Sequence, residues 1–284
     1  MNDRTFERIE SLFDIGLFAD VQVLVAGCGS GGASVALQLV MSGIRNFTLI
    51  DNDILGPENV IRHVCGRRFI GWKKIDAVAE VLRDRNPKAS ITTIDADIMN
   101  FPNLESEIRK PDVVVLATDN EPSRYTINEL CVRNNIPFVV GRVFTRGIGG
   151  EVFAFRPHSG GCLACLETFL QRTPFRKGVR EIDLVSEEER EKVYGMEIAE
   201  IKDSPGLGVD IAFITSFHTR YVLDAIARGL TEPPKYLDLI DENYLVWGNR
   251  PVHPFKKHFH LQRMQLSPQE RCAVCATRSV AHAV

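Results

Sequence analysis

Two pairs of cysteines have the spacing of metal ligands. Cys162 and Cys165 form one Cys-x-x-Cys pair, and Cys272 and Cys275 form a second. Each pair can direct two thiolates to one ion, and four thiolates suit a tetrahedral structural Zn²⁺. A thioredoxin-like redox site would need only one such pair near a βαβ unit, so we favour one shared zinc site. With four protein ligands, that zinc would have no open position for chemistry.

A glycine-rich turn follows the first apolar run of the chain. Residues 21–26 are rich in β-branched side chains, and Gly27-x-Gly29-x-x-Gly32 comes directly after them. The first glycine permits a tight turn, the second lets backbone N–H groups approach phosphate, and the third allows close helix packing. Asp51 ends the next predicted strand, where a carboxylate can bind a ribose hydroxyl. These features predict a nucleotide site without separating NAD from ATP.

Three charged side chains downstream suit phosphoryl chemistry. Attack at the α-phosphate of ATP concentrates charge on phosphoryl oxygens, so it requires cations and a carboxylate that binds Mg²⁺. Arg62 and Lys74 can supply the cations, and Asp119 can supply the carboxylate. Asp119 follows an apolar strand, so we expect it at the same sheet edge as the glycine loop. Hydride transfer needs none of the three, although each alone could be an exposed charge or a helix cap.

The elements that must position these residues alternate along the chain. Apolar runs alternate with helical patterns, which predicts an α/β fold with a Rossmann-like, doubly wound and mostly parallel sheet. The later strands have a more antiparallel character, and a polar, helical segment precedes the first strand. The predicted strands are 21–26, 46–50, 91–94, 112–117, 137–140, 151–155 and 236–240, and the predicted helices are 33–41, 74–84, 123–134 and 207–228.

Composition bounds the class of protein. The chain has 284 residues, of which 44% are hydrophobic and 25% charged, as in folded globular proteins. Its net charge of −3 and the lack of a basic stripe make nucleic acid an unlikely main ligand. No apolar run reaches the roughly 18 residues of a spanning helix, which disfavours a membrane protein. The polar start, residues 1–7, is unlike a signal peptide, so we expect a cytoplasmic protein.

This series of motifs resembles the ThiF/MoeB/HesA superfamily, which includes the ubiquitin-activating enzymes. The resemblance extends over most of the chain, and a co-linear series of this kind is far more specific than any single motif. The matching features are the glycine loop, Asp51-x-Asp53, Asn59 to Arg62, Gly71 to Lys74, Asn86-Pro87, Asp119-Asn120 with Arg124, and both cysteine pairs.

The resemblance implies an enzyme that adenylates the C-terminal glycine carboxylate of a ubiquitin-like or sulfur-carrier protein that ends in Gly-Gly. It implies ATP and Mg²⁺ as cofactors and pyrophosphate as a product. By position in the family pattern, Asp51 would bind ribose and Asp119 would hold magnesium, while Asn59, Arg62 and Lys74 would contact phosphates. The full nucleotide-binding set implied in this way is Gly27, Gly29, Gly32, Asp51, Asp53, Asn59, Arg62, Lys74 and Asn120.

The N-terminal arm departs from the family pattern. Family members are commonly homodimers in which an N-terminal arginine reaches the partner's ATP site. Arg4 and Arg8 are the candidates here, and we assign the catalytic role to Arg8. The familiar Arg-Tyr-x-Arg-Gln stretch is replaced by Arg4-Thr5-Phe6-Glu7-Arg8, and His63 stands where glutamine is usual. These departures indicate a divergent branch.

We interpret residues 1–284 as one adenylation domain. Its parts are an arm (1–20), a nucleotide-binding half (21–166), a crossover insertion (167–206) and a C-terminal half (207–284). In the conjugating branch of the family a crossover cysteine forms a thioester, and this crossover has no cysteine, so we expect no enzyme thioester. The remaining cysteines are Cys28, Cys65 and Cys131; packing is the favoured role for Cys131, and Cys65 is the best placed nucleophile.

Four other interpretations remain open. The enzyme could adenylate another carboxylate, in a peptide or a modified tRNA base, or conjugate its substrate through a cysteine outside the crossover. An NAD-dependent oxidoreductase could use the same glycine loop, but it would give no reason for Arg62, Lys74 and Asp119 to occur together. A pseudo-enzyme kept as a docking partner would lack an ATP ligand, and none is missing from the pattern.

Overall fold

Eight strands form one mixed sheet in the computed structural model, which describes residues 4–144, 147–172 and 206–276. Their spatial order is β3-β2-β1-β4-β5-β6-β7-β8. The first five strands are parallel and the last three run antiparallel, which confirms the predicted Rossmann-like α/β class. The strands are β1 (Gln22–Ala26), β2 (Asn46–Ile50), β3 (Ser90–Ile94), β4 (Val113–Leu116), β5 (Phe138–Val143), β6 (Gly149–Phe155), β7 (Tyr244–Gly248) and β8 (His260–Met264).

Helices cover both faces of this sheet. The central strands are apolar on both sides because successive side chains point to opposite faces and both faces are covered. Thus Val23 and Val25 of β1 join one hydrophobic cluster, and Leu24 and Ala26 join the other. The helices are α1 (Glu7–Glu10), α2 (Ser30–Met41), α3 (Lys74–Arg85), α4 (Leu104–Ile108), α5 (Glu121–Asn134), α6 (Leu163–Arg172) and α7 (Gly208–Gly229).

The chain reverses its winding direction at β1. Helices α2, α3 and α7 contribute to the cluster of Val23 and Val25, whereas α4, α5 and α6 contribute to that of Leu24 and Ala26. The chain leaves the carboxyl ends of the neighbouring strands β1 and β4 toward opposite faces, into α2 and α5 respectively. Ligands bind in the crevice that such a reversal opens. The glycine loop leaves β1 at this edge, and the segment that begins at Ala117 leaves β4 beside it.

The predicted strand at 236–240 was wrong. The strand in this region is Tyr244–Gly248, and a further strand, His260–Met264, follows it. The Ile240 backbone N–H donates to Asp224 Oδ1 of α7 at 2.8 Å, so it is not available to a sheet ladder. Leu237 is buried. The hydrogen bond to Asp224 of α7 therefore fixes the backbone of this segment outside the sheet.

Other boundaries moved by smaller amounts. Helix α2 starts at Ser30, inside the glycine motif, three residues before the predicted start. The N-terminal arm contains one short helix, Glu7–Glu10, and a 3₁₀ turn at Ile15–Phe18. In the predicted crossover, residues 167–172 belong to α6, and residues 173–205 lie outside the described residues. In the described part of the chain, no helix has the length and apolar character needed to cross a bilayer.

Gly32 sets how closely α2 can approach β1. A Cβ atom at Gly32 would lie 1.9 Å from the Gly27 carbonyl oxygen, a backbone atom that cannot rotate away. We therefore expect Gly32→Ala to lower the free energy of unfolding by about 1–3 kcal/mol, the usual cost of overpacking. Denaturant unfolding measures this change. Gly31→Ala is the matched control, since its Cβ meets nothing within 4 Å, and an equal effect of both substitutions would contradict the explanation.

Candidate nucleotide site and cysteine cluster

The glycine loop is tight on one side and open on the other. Gly27 has φ 91°, and a Cβ there would lie 2.8 Å from the Ala117 carbonyl oxygen. A side chain at Gly29, in contrast, would meet nothing within 4 Å. The loop therefore packs against the segment after β4 and presents its other side, with the N-terminus of α2, to the sheet edge. Backbone N–H groups at such a helix start attract anions.

Asp51 holds the glycine loop from the neighbouring strand. Its Oδ2 atom accepts a hydrogen bond from the Cys28 backbone N–H at 2.6 Å, and its Oδ1 accepts one from the Asp53 N–H at 2.8 Å. Lys74 Nζ donates to Asp53 Oδ2 at 2.6 Å. The three side chains thus connect β2, the glycine loop and the start of α3. Ribose binding by Asp51 stays a prediction.

Two adjoining clefts open at this edge of the sheet. The smaller, about 260 Å³, lies at the carboxyl ends of β1, β2 and β4, and the larger, about 540 Å³, extends from the glycine loop toward β5 and α7. Gly29, Lys74 and Asp119 line both. Of the other predicted residues, Gly27, Asp51, Asp53 and Asn120 line the smaller cleft, and Asn59 and Arg62 line the larger.

Two residues of the predicted catalytic and nucleotide-binding set, Gly32 and Arg8, line neither cleft. Gly32 is buried in the contact between α2 and β1, so it shapes the loop rather than touching a ligand. Arg8 is exposed on α1, and its role in a partner's site stays a prediction.

The polar residues near the clefts have structural partners. Asn59 Oδ1 accepts from the Gly56 N–H at 2.9 Å, and Asn120 Oδ1 accepts from the Ser123 N–H at 2.9 Å to cap α5. Arg124 donates to the Thr118 carbonyl oxygen from Nε (3.0 Å) and Nη2 (2.6 Å), which fixes the backbone next to Asp119.

Sequence reasoning missed a buried ionic network in the wall of the larger cleft. Arg142 pairs with Glu151 at 2.5 Å, with Glu167 at 3.0 Å and with Glu121 at 3.2 Å, and Tyr244 donates to Glu151. Burial lowers the pKa of Arg142, but the surrounding carboxylates raise it more, so the guanidinium stays charged. The available signal was a charged residue in each of two apolar strands, because Arg142 and Glu151 are directly paired across β5 and β6.

The three remaining cysteines are buried in the folded protein. Cys131 lies in a core cluster with α5 and β5 side chains, which confirms its predicted packing role. Burial raises the pKa of Cys65 to about 12, and it also raises the pKa of Cys28. The thiolate is the nucleophilic form, so neither thiol is reactive near neutral pH in this conformation.

The two cysteine pairs converge as predicted. The sulfur atoms of Cys162, Cys165, Cys272 and Cys275 all lie within 4.8 Å of one another. The Cys162–Cys272 and Cys165–Cys275 sulfur distances are 3.6 Å and 3.4 Å. These are much longer than a disulfide and near the ~3.8 Å between thiolates around a tetrahedral zinc with Zn–S bonds of about 2.3 Å. The four thiols therefore fit one Zn²⁺ ion.

One of the four thiols favours its charged form before any metal is considered. Hydrogen bonds from Cys162 and Cys275 lower the pKa of Cys165, and the Gln269 backbone N–H also donates to Cys165 Sγ at 3.3 Å. Thiolates are the form that binds metal, so this arrangement agrees with a closed structural site.

The sheet and the glycine loop at its switch point define a Rossmann-like α/β protein. The ThiF family model matches residues 17–271, and the chain therefore belongs to the ThiF family.

Several curated proteins share this region. The sulfur carrier protein ThiS adenylyltransferase of Escherichia coli is 31% identical over 176 residues, which are 58% of this chain and 69% of that protein. The SAMP-activating enzyme E1 of Haloferax volcanii is 30% identical over 153 residues, which cover 53% of this chain and 55% of that protein. The adenylyltransferase and sulfurtransferase MOCS3 of Xenopus laevis is 33% identical over 146 residues, covering 51% and 32%. The match thus spans about a third to a half of some relatives.

Solved structures share the fold over nearly the whole chain. Escherichia coli MccB with succinimide superposes with a TM-score of 0.70 at 19% identity, covering 98% of this chain and 74% of that one. PaaA superposes with a TM-score of 0.64 at 17% identity, and the superposition covers 89% of this chain and 75% of PaaA. At such identities the likeness shows the fold alone.

The four-cysteine cluster predicts a zinc content and a stability effect. We expect about one zinc per chain by elemental analysis, and almost none in Cys272→Ser. Because zinc–thiolate binding contributes to folding free energy, this variant and chelator-treated protein should both melt several degrees lower. Cys131→Ala is the control: it removes a buried thiol outside the cluster and should keep its zinc. Zinc-free protein with reduced cysteines and an unchanged melting temperature would contradict the assignment.

Proposed function

We propose that this protein uses ATP and Mg²⁺ to adenylate the C-terminal glycine carboxylate of a ubiquitin-like or sulfur-carrier protein. The observation that carries the proposal is the meeting of Arg62, Lys74 and Asp119 in adjoining clefts beside the glycine loop. These residues are separated in the sequence, and the fold brings them to the one edge where a nucleotide phosphate would lie.

The smaller cleft suits the nucleoside part of ATP. It lies beside Asp51, whose carboxylate can accept from a ribose hydroxyl once it exchanges or shares its present backbone partners. From there the triphosphate would pass over the open face of Gly29 and the start of α2. Backbone N–H groups and the helix dipole favour negative charge at that place.

In the reaction, a carboxylate oxygen of the acceptor attacks the α-phosphorus of ATP. The bond from the α-phosphorus to the bridging oxygen of the β-phosphate breaks, and pyrophosphate leaves. Arg62 and Lys74 would stabilise the charge that develops on the phosphoryl oxygens. Asp119 would hold Mg²⁺, which neutralises charge on the leaving pyrophosphate.

The larger cleft gives the carboxylate an approach to the α-phosphate. Beyond the nucleotide residues it continues between β5 and α7, lined by Gly141, Ile214 and His218. A Cβ at Gly141 would lie 2.5 Å from His218 Nδ1, so β5 and α7 pack tightly at this end of the cleft and leave little room for side chains on an entering tail. The names of the ThiS and SAMP relatives support a carrier protein as the acceptor.

A second candidate is the adenylation of a different carboxylate, in a peptide or a tRNA base. The observation in its favour is the superposition of MccB, solved in complex with MccA and AMPCPP, on 97% of this chain. A carrier protein with a Gly-Gly end and an unrelated peptide, offered separately, distinguish the two candidates.

A homodimer belongs to the proposal. Arg8 is exposed on the N-terminal arm and faces neither cleft of its own chain, so it would act on the partner's nucleotide. Loss of activity in Arg8→Ala, restored by mixing with an Asp119→Asn protein, would support this arrangement.

The proposed reaction predicts ATP–pyrophosphate exchange that depends on an acceptor. We would test the Gly-Gly-ended proteins of the same genome, with Escherichia coli ThiS as a further probe. Asp119→Asn should lower exchange at least about a hundredfold, because charge stabilisation at the phosphates is lost. Asp112→Asn is the matched control, since Asp112 precedes β4 at the opposite edge and accepts from the Gln22 N–H. Undiminished exchange in Asp119→Asn would refute its role.

We also propose that the product stays an acyl-adenylate without an enzyme thioester, since Cys28 and Cys65 are buried with raised pKa values. Enzyme, ATP and acceptor, run on non-reducing gels, should give no thiol-sensitive adduct. An adduct that disappears in Cys65→Ala would overturn the prediction and identify the nucleophile.

A further inference from the structure

His63 connects the two segments that would hold the phosphates. Its Nε2 atom lies 2.9 Å from the carbonyl oxygen of Cys28, inside the glycine loop, and its Nδ1 atom lies 3.1 Å from the backbone nitrogen of Cys65. The ring is 8% exposed and borders the larger cleft next to Arg62. It therefore links the Asn59–Arg62 turn to the loop between β1 and α2.

These two contacts fix the tautomer of the ring. The Cys65 N–H can only donate, so Nδ1 must carry the lone pair. The Cys28 carbonyl oxygen can only accept, so Nε2 must carry the proton. Neutral imidazole with the proton on Nε2 satisfies both contacts, and no other state of the ring does so.

Side chains from elsewhere in the chain hold both the backbone N–H and the backbone C=O of Cys28. Asp51 accepts from its N–H at 2.6 Å, and His63 donates to its C=O. The peptides on either side belong to Gly27 and Gly29, which impose little conformational preference of their own. Asp51 and His63 therefore fix the orientation of the two peptide groups around Cys28, in addition to the backbone contacts of the flanking glycines.

We propose that His63 is a positioning residue that holds the glycine loop in its nucleotide-binding conformation, and that it does so only as the neutral imidazole. Acid would then weaken nucleotide binding through the conformation of the loop. This inference rests on the proposed function, because it assumes that the loop binds ATP.

Protonation would break the link. An imidazolium carries N–H groups at both positions, so its Nδ1–H would face the Cys65 N–H and lose that hydrogen bond. Burial lowers the pKa of His63, and the charges of Lys74 and Arg62 lower it further, while the Cys28 carbonyl and Asp51 oppose this. Cys28 and Cys65 contact the ring through their backbone atoms, and burial raises the pKa of both thiols, so they stay neutral. Both hydrogen bonds of His63 are thus made at pH values above the ordinary pKa of histidine. They are not both kept once the pH falls through the lowered pKa of His63.

A glutamine could make the same two hydrogen bonds as the neutral ring, but it would not titrate. The Gln side chain offers one amide donor and one carbonyl acceptor, the same pair that His63 uses, and neither group titrates. His63→Gln should therefore bind nucleotide as the wild-type protein does at pH 8 and keep that affinity in acid. His63→Leu removes both contacts and should weaken binding at every pH.

The test is the dissociation constant of ATP–Mg²⁺, measured by calorimetry on the full-length protein between pH 8 and pH 5. The titration of ATP itself affects all variants equally, so the ratio of wild-type to His63→Gln constants is the readout. We expect a ratio near one at pH 8 that rises by up to about tenfold per pH unit below the pKa of His63. His260→Gln, which removes a histidine of β8 outside both clefts, should keep the wild-type pH dependence.

The outcomes are separable. A ratio that stays constant with pH would overturn the inference while leaving the proposed function intact. A wild-type protein that binds no ATP at pH 8 would overturn both. A His63→Gln variant that binds poorly at pH 8 with unchanged melting temperature and zinc content would also overturn the inference, because it would show that the ring does more than an amide can.

Discussion

The close approach of Gly32 to the Gly27 carbonyl is the constraint on which the site depends. Because no Cβ separates them, α2 can begin directly at the end of β1, and its first N–H groups face the sheet edge. The same approach leaves Gly29 open to solvent and brings Gly27 against the backbone at Ala117. The position of the segment after β4, with Asp119, therefore follows from how tightly the glycine loop can turn.

Around this loop the protein uses charged side chains as structural links before they meet any substrate. Asp51 accepts from the loop, Lys74 is paired with Asp53, and Arg124 is bonded to the Thr118 carbonyl oxygen. Such pre-organisation places charges without reorganisation at the moment of reaction, which is how enzymes stabilise developing charge most effectively. Under the proposed function, the Asp53–Lys74 pair would separate when ATP binds, before the reaction itself, because a phosphate would replace the carboxylate as the partner of the lysine.

The four-cysteine cluster is a second contact that organises the fold, in the antiparallel half of the sheet. The four-cysteine cluster joins the start of α6 to a segment about 110 residues later in the chain. Between these points the chain forms α7, β7 and β8, so a metal there would close a large loop around the antiparallel half of the sheet. Glu167 of α6 pairs with Arg142 in the wall of the larger cleft, so the helix that starts at the cysteine cluster also contacts the cleft wall.

The sequence by itself determined the parallel half of the sheet, the glycine loop and the cysteine cluster. Periodicity, glycine spacing and Cys-x-x-Cys spacing are local signals, and each reports a geometry that neighbouring residues impose. Tertiary structure decided what depends on distant partners. Ile240 is not in a strand because Asp224 takes its N–H, and Arg142 is buried because three carboxylates surround it. The neutral ring of His63 would carry its proton on Nε2 because backbone groups from two different segments contact the two ring nitrogens. A single side chain carries no signal for such pairings, since they exist only after the chain has folded.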